Sequence, residues 1–96
     1  MEVIYHPLAQ RDVLEVLHYY HEISPKLEGA FYDELRSIIA SAARNPLRFH
    51  PIDRGFRRAN LKRFPYHVLY EIRPKLIRVV VVRHHRRRPE FGLERL

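Results

Sequence analysis

The sequence contains no cysteine and no hydrophobic run of membrane-spanning length. The absence of cysteine excludes disulfides and thiolate metal sites, and a reducing compartment suits such a chain. The residues from Met1 to Pro7 lack the apolar core of a signal peptide. We therefore expect a chain that is made and used in the cytoplasm, without contact with a membrane.

Linkers, internal repeats and low-complexity segments are also missing from the sequence. Its 96 residues are 46% hydrophobic, which is enough for a single core but leaves room for only one sheet and two or three helices. We therefore expect residues 1–96 to form a single domain.

Negative charge is scarce relative to positive charge. Eighteen Lys and Arg residues against eleven Asp and Glu residues give a net charge of +7, and most of the cations lie from Arg44 onward. This asymmetry favours a polyanionic partner, such as nucleic acid, the ribosome or an acidic protein segment. The alternative is a basic surface that serves only solubility.

The first half of the chain predicts a strand from Glu2 to Tyr5 and then two helices. The first helix runs from about Leu8 to Ile23, and the second begins after an N-cap at Ser24 and stops at Asn45-Pro46. Their short connection predicts an antiparallel hairpin on one face of the sheet. Apolar stripes at helical spacing define the buried faces: Ala9, Val13, Val16, Leu17 and Tyr20, then Leu27, Phe31, Leu35, Ile38 and Ala42. Of the helix aromatics, Tyr19 and Tyr32 are the expected exposed pair.

The second half predicts a loop from Leu47 to Arg54 and then a three-strand meander. We therefore expect an α/β (α+β) fold in which the helical hairpin covers a mostly antiparallel four-stranded sheet, in the order β-α-α-β-β-β. Alternation assigns one face of the middle strand to the core, namely Phe64, Tyr66, Val68, Tyr70 and Ile72.

The opposite face of that strand displays His67, according to the same alternation. The last strand is apolar on both faces, with Val80 expected beneath the helices, and it is therefore expected in the interior of the sheet. It ends in a cluster of two histidines and three arginines, His84 to Arg88. Periodicity leaves open whether His84 or His85 lies on the same face as His67.

These features resemble the RelE/ParE superfamily of bacterial type II toxin–antitoxin toxins over essentially the whole chain. The residues that carry the resemblance are the opening strand, Asp12 in the first helix, Pro46, Arg58 with Leu61, Phe64 to Tyr70, and His84 to Pro89. RelE-like members are described as ribonucleases that cut mRNA in the ribosomal A site. ParE-like members inhibit DNA gyrase without a catalytic site of their own.

The resemblance implies a growth-arresting toxin that forms a hetero-oligomer with a cognate antitoxin. The target stays open between the ribosome with its mRNA, which is the first expectation, and DNA gyrase. A basic nucleic-acid-binding module without catalysis is a third reading. We expect acidic antitoxin side chains in a groove lined by Arg58, Arg63, Arg86 and Arg87, with apolar contacts on the helical hairpin.

RNA cleavage through the 2′-hydroxyl needs a proton acceptor, a proton donor and cations, and it requires no metal or other cofactor. The candidate catalytic residues are His67, His84, His85 and Arg86. The candidate RNA-binding, phosphate-binding or antitoxin-binding residues are Arg57, Arg58, Lys62, Arg63, Arg87, Arg88 and Phe91. RelE-like ribonucleases show two lysines where this chain has Arg58 and Asn60, and a base-stacking tyrosine that Phe91 matches best. A metal-independent endoribonuclease is thus one reading of the chain.

Overall fold

The computed structural model describes residues 1–95, which form two helices and five strands. The elements are β1 (Glu2–Tyr5), α1 (Pro7–Ile23), α2 (Pro25–Arg44), β2 (His50–Pro51), β3 (Phe56–Asn60), β4 (Tyr66–Arg73) and β5 (Leu76–His84), with 3₁₀ turns at Pro46–Arg48 and Asp53–Gly55. Within these residues, no helix is long and apolar enough to cross a membrane.

The five strands form one mixed sheet in the order β1-β5-β4-β3-β2. β1 pairs with β5 in parallel, and the other pairs are antiparallel. The α+β class and the meander are as predicted, but the expectation of four strands is wrong. The additional strand, β2, lies in the segment predicted as a loop, and two residues are too few to show a strand period.

Side-chain caps explain where the two helices begin. The hydroxyl oxygen of Ser24 accepts hydrogen bonds from the backbone N–H groups of Lys26 (3.2 Å) and Leu27 (3.4 Å), which confirms the predicted N-cap of α2. α1 begins at Pro7, one residue earlier than predicted. There the Nδ1 atom of His6 accepts a hydrogen bond from the Leu8 N–H at 3.0 Å.

An aromatic cluster joins the helical hairpin to the sheet. Phe31 of α2 is fully buried, and its ring lies 5.4–5.6 Å from the rings of Tyr20, Phe64 and Tyr66. The contacts of Phe31 with Phe64 and Tyr66 are edge-to-face and add to the hydrophobic stabilisation that ring burial supplies. The predicted packing roles of Tyr20 and Phe31 are confirmed.

The predicted exposed pair is also confirmed, because Tyr19 and Tyr32 both lie at the surface of the hairpin. The core assignment of Ile72 is wrong. This residue lies near the Pro74–Lys75 turn, at the far end of β4, and is 36% exposed.

A β-bulge in β5 reverses the alternation of its side chains. Leu69 pairs with Val81 and Tyr70 pairs with Val79, so Val80 is an extra residue between two partners. Val79 and Val82 face the helices, whereas Val80 and Val81 both face the opposite side. The expectation that Val80 lies beneath the helices is therefore wrong, because simple alternation cannot anticipate an inserted residue.

The face of the sheet opposite the helices is covered by the C-terminal segment, residues 85–95. Phe91 and Leu93 pack against a second cluster of buried side chains on this face, formed by Phe56, Leu69, Val80 and Val81. The approach is close at Gly92, where a Cβ atom would lie 2.5 Å from a Val81 methyl carbon. The second face of the sheet is therefore part of the interior.

An ion pair completes the backbone hydrogen bonds of β5 where β1 ends. Asp12 of α1 and Arg95 form a pair with a 2.6 Å Nη1–Oδ2 distance, and both side chains are nearly buried. The Asp12 carboxylate accepts from the Val82 N–H at 3.0 Å, and Arg95 donates to the Val80 carbonyl at 2.8 Å. The pair thus ties the first helix, the last strand and the C-terminal segment together.

Candidate functional site: a basic surface at one end of the sheet

Most of the predicted site residues meet where β4 begins and β5 ends. Antiparallel pairing places His84 opposite Tyr66, and the backbone N–H of His85 donates to the Pro65 carbonyl at 2.9 Å. The β3–β4 loop therefore adjoins the start of the C-terminal segment. We call the resulting group of side chains the strand-end surface: Arg58, Lys62, Arg63, His84, His85, Arg86 and Arg87.

His67 does not lie on this surface. The sequence predicts it as the displayed residue of β4, but its side chain is only 1% exposed. The expectation of a displayed histidine is wrong because residues 85–95 cover that face of the sheet. His85, which is exposed, lies above it, with 2.9 Å between the two Nδ1 atoms.

Arg83 is a buried residue that the sequence analysis did not single out. Its Nε atom donates to Nε2 of His67 at 2.8 Å, and its Nη1 atom donates to the carbonyls of Arg88 (3.3 Å), Pro89 (2.8 Å) and Phe91 (2.7 Å). Arg83 therefore joins the buried histidine to the C-terminal segment. The sequence could have indicated that Arg83 lies near His85, since a residue two positions before His85 in a strand shares a face with it.

The hydrogen bonds determine which histidine nitrogen carries the proton. A guanidinium group can only donate, so Nε2 of His67 is the acceptor and its Nδ1 carries the hydrogen. That N–H donates to Nδ1 of His85, toward which Arg58 also points an Nη2 donor at 3.4 Å. Nδ1 of His85 is therefore an acceptor, and its hydrogen resides on the outer nitrogen, Nε2.

The electrostatic environment keeps both histidines neutral. Burial, reinforced by the charges of Arg58 and Arg83, lowers the pKa of His67 to about 3. Burial and the charge of Arg58 also lower the pKa of His85 below its usual value. At neutral pH, the outer nitrogen of His85 is thus a hydrogen-bond donor that lacks a free lone pair.

His84 lies on the other face of β5, and its Nδ1 atom is also a hydrogen-bond acceptor. Its ring packs edge-on against Tyr66 at 5.1 Å, and its Nδ1 accepts from the Arg86 backbone N–H at 3.0 Å. In the neutral ring, Nε2 therefore carries the hydrogen. His84 lines an open cleft of about 510 Å³ together with Pro65, Arg86 and Arg87.

The β3–β4 loop is held in place from the helical side. The Glu34 carboxylate accepts hydrogen bonds from the backbone N–H groups of Lys62 (2.6 Å) and Arg63 (3.2 Å). The Arg63 guanidinium carbon lies 5.6 Å from the centre of the Phe64 ring. Arg58 donates from Nε to the Asn60 side-chain oxygen at 2.8 Å, which orients its guanidinium group toward His85.

Other predicted binding residues also have structural partners. Arg57 donates to the carbonyls of Leu47 and Phe49 (3.2 and 2.7 Å) and thereby holds the segment that precedes β2. The Arg87 guanidinium carbon lies 4.6 Å from the centre of the Phe91 ring, and that of Arg95 lies 5.4 Å away. Arg88 is exposed and pairs with Glu90 at 3.5 Å. A base could stack on Phe91 only after displacing one of these cations.

Residues 1–95 contain no group of three or more His, Asp or Glu side chains placed to hold an ion.

Comparison with known proteins agrees with this architecture. Residues 3–89 match the family model described as the ParE toxin of the type II toxin–antitoxin system parDE. The fold is similar to a solved structure described as the chromosomal ParDE toxin–antitoxin system from P. aeruginosa, with a TM-score of 0.76 and 17% sequence identity over 88% of this chain and 95% of that chain. Comparison with curated protein sequences gives no match. The chain belongs to the ParE family and is the toxin of a type II toxin–antitoxin module, which implies an antitoxin partner.

Proposed function

We propose that this toxin arrests growth by binding DNA gyrase, without catalysing a reaction of its own. The assignment to the ParE family supports this target, because the resemblance described above implies gyrase inhibition for ParE-like members. Ribosome-dependent mRNA cleavage is the first expectation from the sequence alone, and the geometry of the histidines now favours the alternative.

The observation that carries the proposal is the set of hydrogen bonds to the histidine rings, from which the outer nitrogens are assigned their hydrogens. Cleavage of RNA begins when a base removes the proton of a 2′-hydroxyl, and a base needs a free lone pair. His67 is buried, and its two nitrogens are engaged by Arg83 and His85. The outer nitrogens of His84 and His85 already carry hydrogens. The cluster is therefore well suited to binding an anion and poorly suited to general-base catalysis.

One observation favours the ribonuclease alternative. His85 is exposed, and its Nδ1 atom lies 3.4 Å from Nη2 of Arg58. A proton carrier and a phosphate-binding cation are therefore adjacent. If binding to the ribosome reorganised this pair, His85 could exchange a proton, and Arg86 could stabilise the charge that develops on the phosphate.

A paired assay distinguishes the two targets. Purified protein is added to a gyrase supercoiling reaction and, separately, to ribosomes stalled on a defined mRNA. We expect supercoiling to be inhibited and the mRNA to remain intact. His85→Ala should then still inhibit gyrase, because a general base is not required. Cleaved mRNA that becomes intact with His85→Ala, together with unaffected supercoiling, would overturn the proposal in favour of the ribonuclease.

We further propose that the antitoxin inserts apolar side chains into a groove on the helical hairpin. The groove has a volume of about 490 Å³, and its lining includes Tyr5, Leu14, Leu17 and Tyr32. Leu14 is 65% exposed and shares the groove with the exposed rings of Tyr5 and Tyr32, so the apolar surface there is contiguous, as at sites where a partner docks. Leu14→Asp should weaken the complex with the protein encoded beside the toxin gene at least tenfold, whereas Leu47→Asp, at an exposed leucine outside the groove, should not.

A further inference from the structure

The strand-end surface presents hydrogen-bond donors to solvent, and the acceptors beside it are occupied. Arginine and lysine can only donate, and the outer nitrogens of His84 and His85 carry hydrogens. The Asn60 oxygen is occupied by Arg58, and the Glu34 carboxylate is occupied by the backbone of the β3–β4 loop. The cleft beside His84 is lined by Pro65, Arg86 and Arg87, without a carboxylate.

The neighbouring acidic residues mark the limits of this surface. Glu90 pairs with Arg88 on the C-terminal segment, and Asp12 pairs with Arg95. Glu15 of α1 lies in the adjoining cleft between that helix and Arg87. A ligand that covers the centre of the strand-end surface therefore meets donors and positive charge.

We propose that the strand-end surface binds the phosphodiester backbone of duplex DNA, so that the toxin contacts DNA held by gyrase while it is bound to the enzyme. A DNA backbone presents a continuous row of negatively charged acceptor oxygens. An acidic protein surface instead carries hydrogen-bond donors among its carboxylates. Those donors would face the donors of the strand-end surface and could not bond to them. The second half of the proposal, contact with gyrase-bound DNA, rests on the proposed function.

The chemistry of the surface also indicates which part of the DNA it would contact. Arginine binds phosphate oxygens through two parallel N–H groups, and Arg86 and Arg87 flank a cleft large enough for a phosphate. Donors that contact only phosphates fix the position of the protein on the duplex without carrying sequence information. We therefore expect binding that depends strongly on salt and little on base sequence.

A matched pair of double variants separates a specific surface from the overall positive charge. Arg86→Ala with Arg87→Ala removes two charges from the strand-end surface, and Arg11→Ala with Arg44→Ala removes two exposed charges from the helices. Binding of a fluorescein-labelled 20-base-pair duplex is followed by fluorescence anisotropy over a salt series. The first variant should raise Kd at least tenfold. It should also reduce the slope of log Kd against log salt concentration by about 1.8, because each phosphate that is no longer neutralised lowers the slope by about 0.9.

The control variant should raise Kd less than threefold. Equal weakening by both pairs would show that net charge alone attracts DNA and would overturn the proposal, as would the absence of binding by the original protein. A labelled polyglutamate peptide of equal charge provides the remaining comparison. If it binds as tightly as the duplex and its affinity falls as much in the Arg86/Arg87 variant, the surface is a site for acidic protein and the proposal is overturned.

A supercoiling assay with the same variants separates this inference from the proposed function. An Arg86/Arg87 variant that no longer binds DNA but inhibits gyrase fully would refute the contact with gyrase-bound DNA and leave gyrase as the target. An original protein that binds the duplex but does not inhibit gyrase would refute the proposed function and leave the phosphodiester site in place.

Discussion

Acid should destabilise this protein through one buried histidine. His67 has a pKa of about 3 in the folded chain and 6.5 as an unperturbed side chain. The unfolded state therefore binds the additional proton between these two values. Burial of neutral His67 therefore costs no stability above pH 6.5. As the pH falls from 6.5 toward 3, the folded state progressively loses stability relative to the unfolded state. At pH 5, which lies 1.5 pH units below the unperturbed pKa, the loss is about 1–2 kcal/mol after allowance for solvent screening.

The measurement is the free energy of unfolding by urea at pH 8 and pH 5, for the original protein and for His67→Gln. Glutamine does not titrate, but its amide can accept from Arg83 and donate toward His85. The variant should therefore lose about 1–2 kcal/mol less than the original protein between the two pH values. His50→Gln, at an exposed histidine in β2, is the control and should keep the original pH dependence. Equal losses for the original protein and His67→Gln would refute the assignment of His67 as a histidine that is buried in the neutral form.

Three further predictions concern stability and are measured by the same urea unfolding. Phe31→Ala should cost about 3–5 kcal/mol because a fully buried ring is removed, whereas Tyr32→Ala, at the surface, should cost less than about 1 kcal/mol; similar costs would place Phe31 outside the core. Gly92→Ala should be far more destabilising than Gly55→Ala, since both glycines have positive φ (85° and 79°) but only the Gly92 methyl would collide with a neighbour; equal effects would contradict the packing of the C-terminal segment. Asp12→Asn should cost about 3–5 kcal/mol by leaving a nearly buried guanidinium group without its counter-charge, and a neutral result would argue against the ion pair with Arg95.

The elements with strong local signals were predictable from the sequence. The helical hairpin follows from apolar residues at helical spacing and from the side chain of Ser24, which competes for the first N–H groups of α2. The meander follows from alternation and from the turn at Pro74. These features depend on residues close together in the chain, so a single sequence contains the information.

The failures concern contacts between distant residues. β2 contains two residues, and only its pairing with β3 identifies it as a strand. The burial of His67 depends on a segment that begins 18 residues later, and the role of Arg95 depends on Asp12, 83 residues earlier. The structure places Arg58 beside His85, because a meander brings alternate strand ends together. The three-dimensional hydrogen bonds were needed to identify the buried histidine and the nitrogens that carry hydrogens.

The bulge in β5 gives the valine run one residue more than its pairing needs. Val79 to Val82 are four identical residues, but they face only three partners in β4, because Val80 is unpaired. Deletion of one valine would therefore remove the bulge and restore a regular ladder. Arg83 would still lie opposite His67 and face the C-terminal segment, whereas the second buried cluster would lose one side chain. The valine run thus contains a spare residue, and the strand end that carries the basic surface can tolerate its loss without turning over.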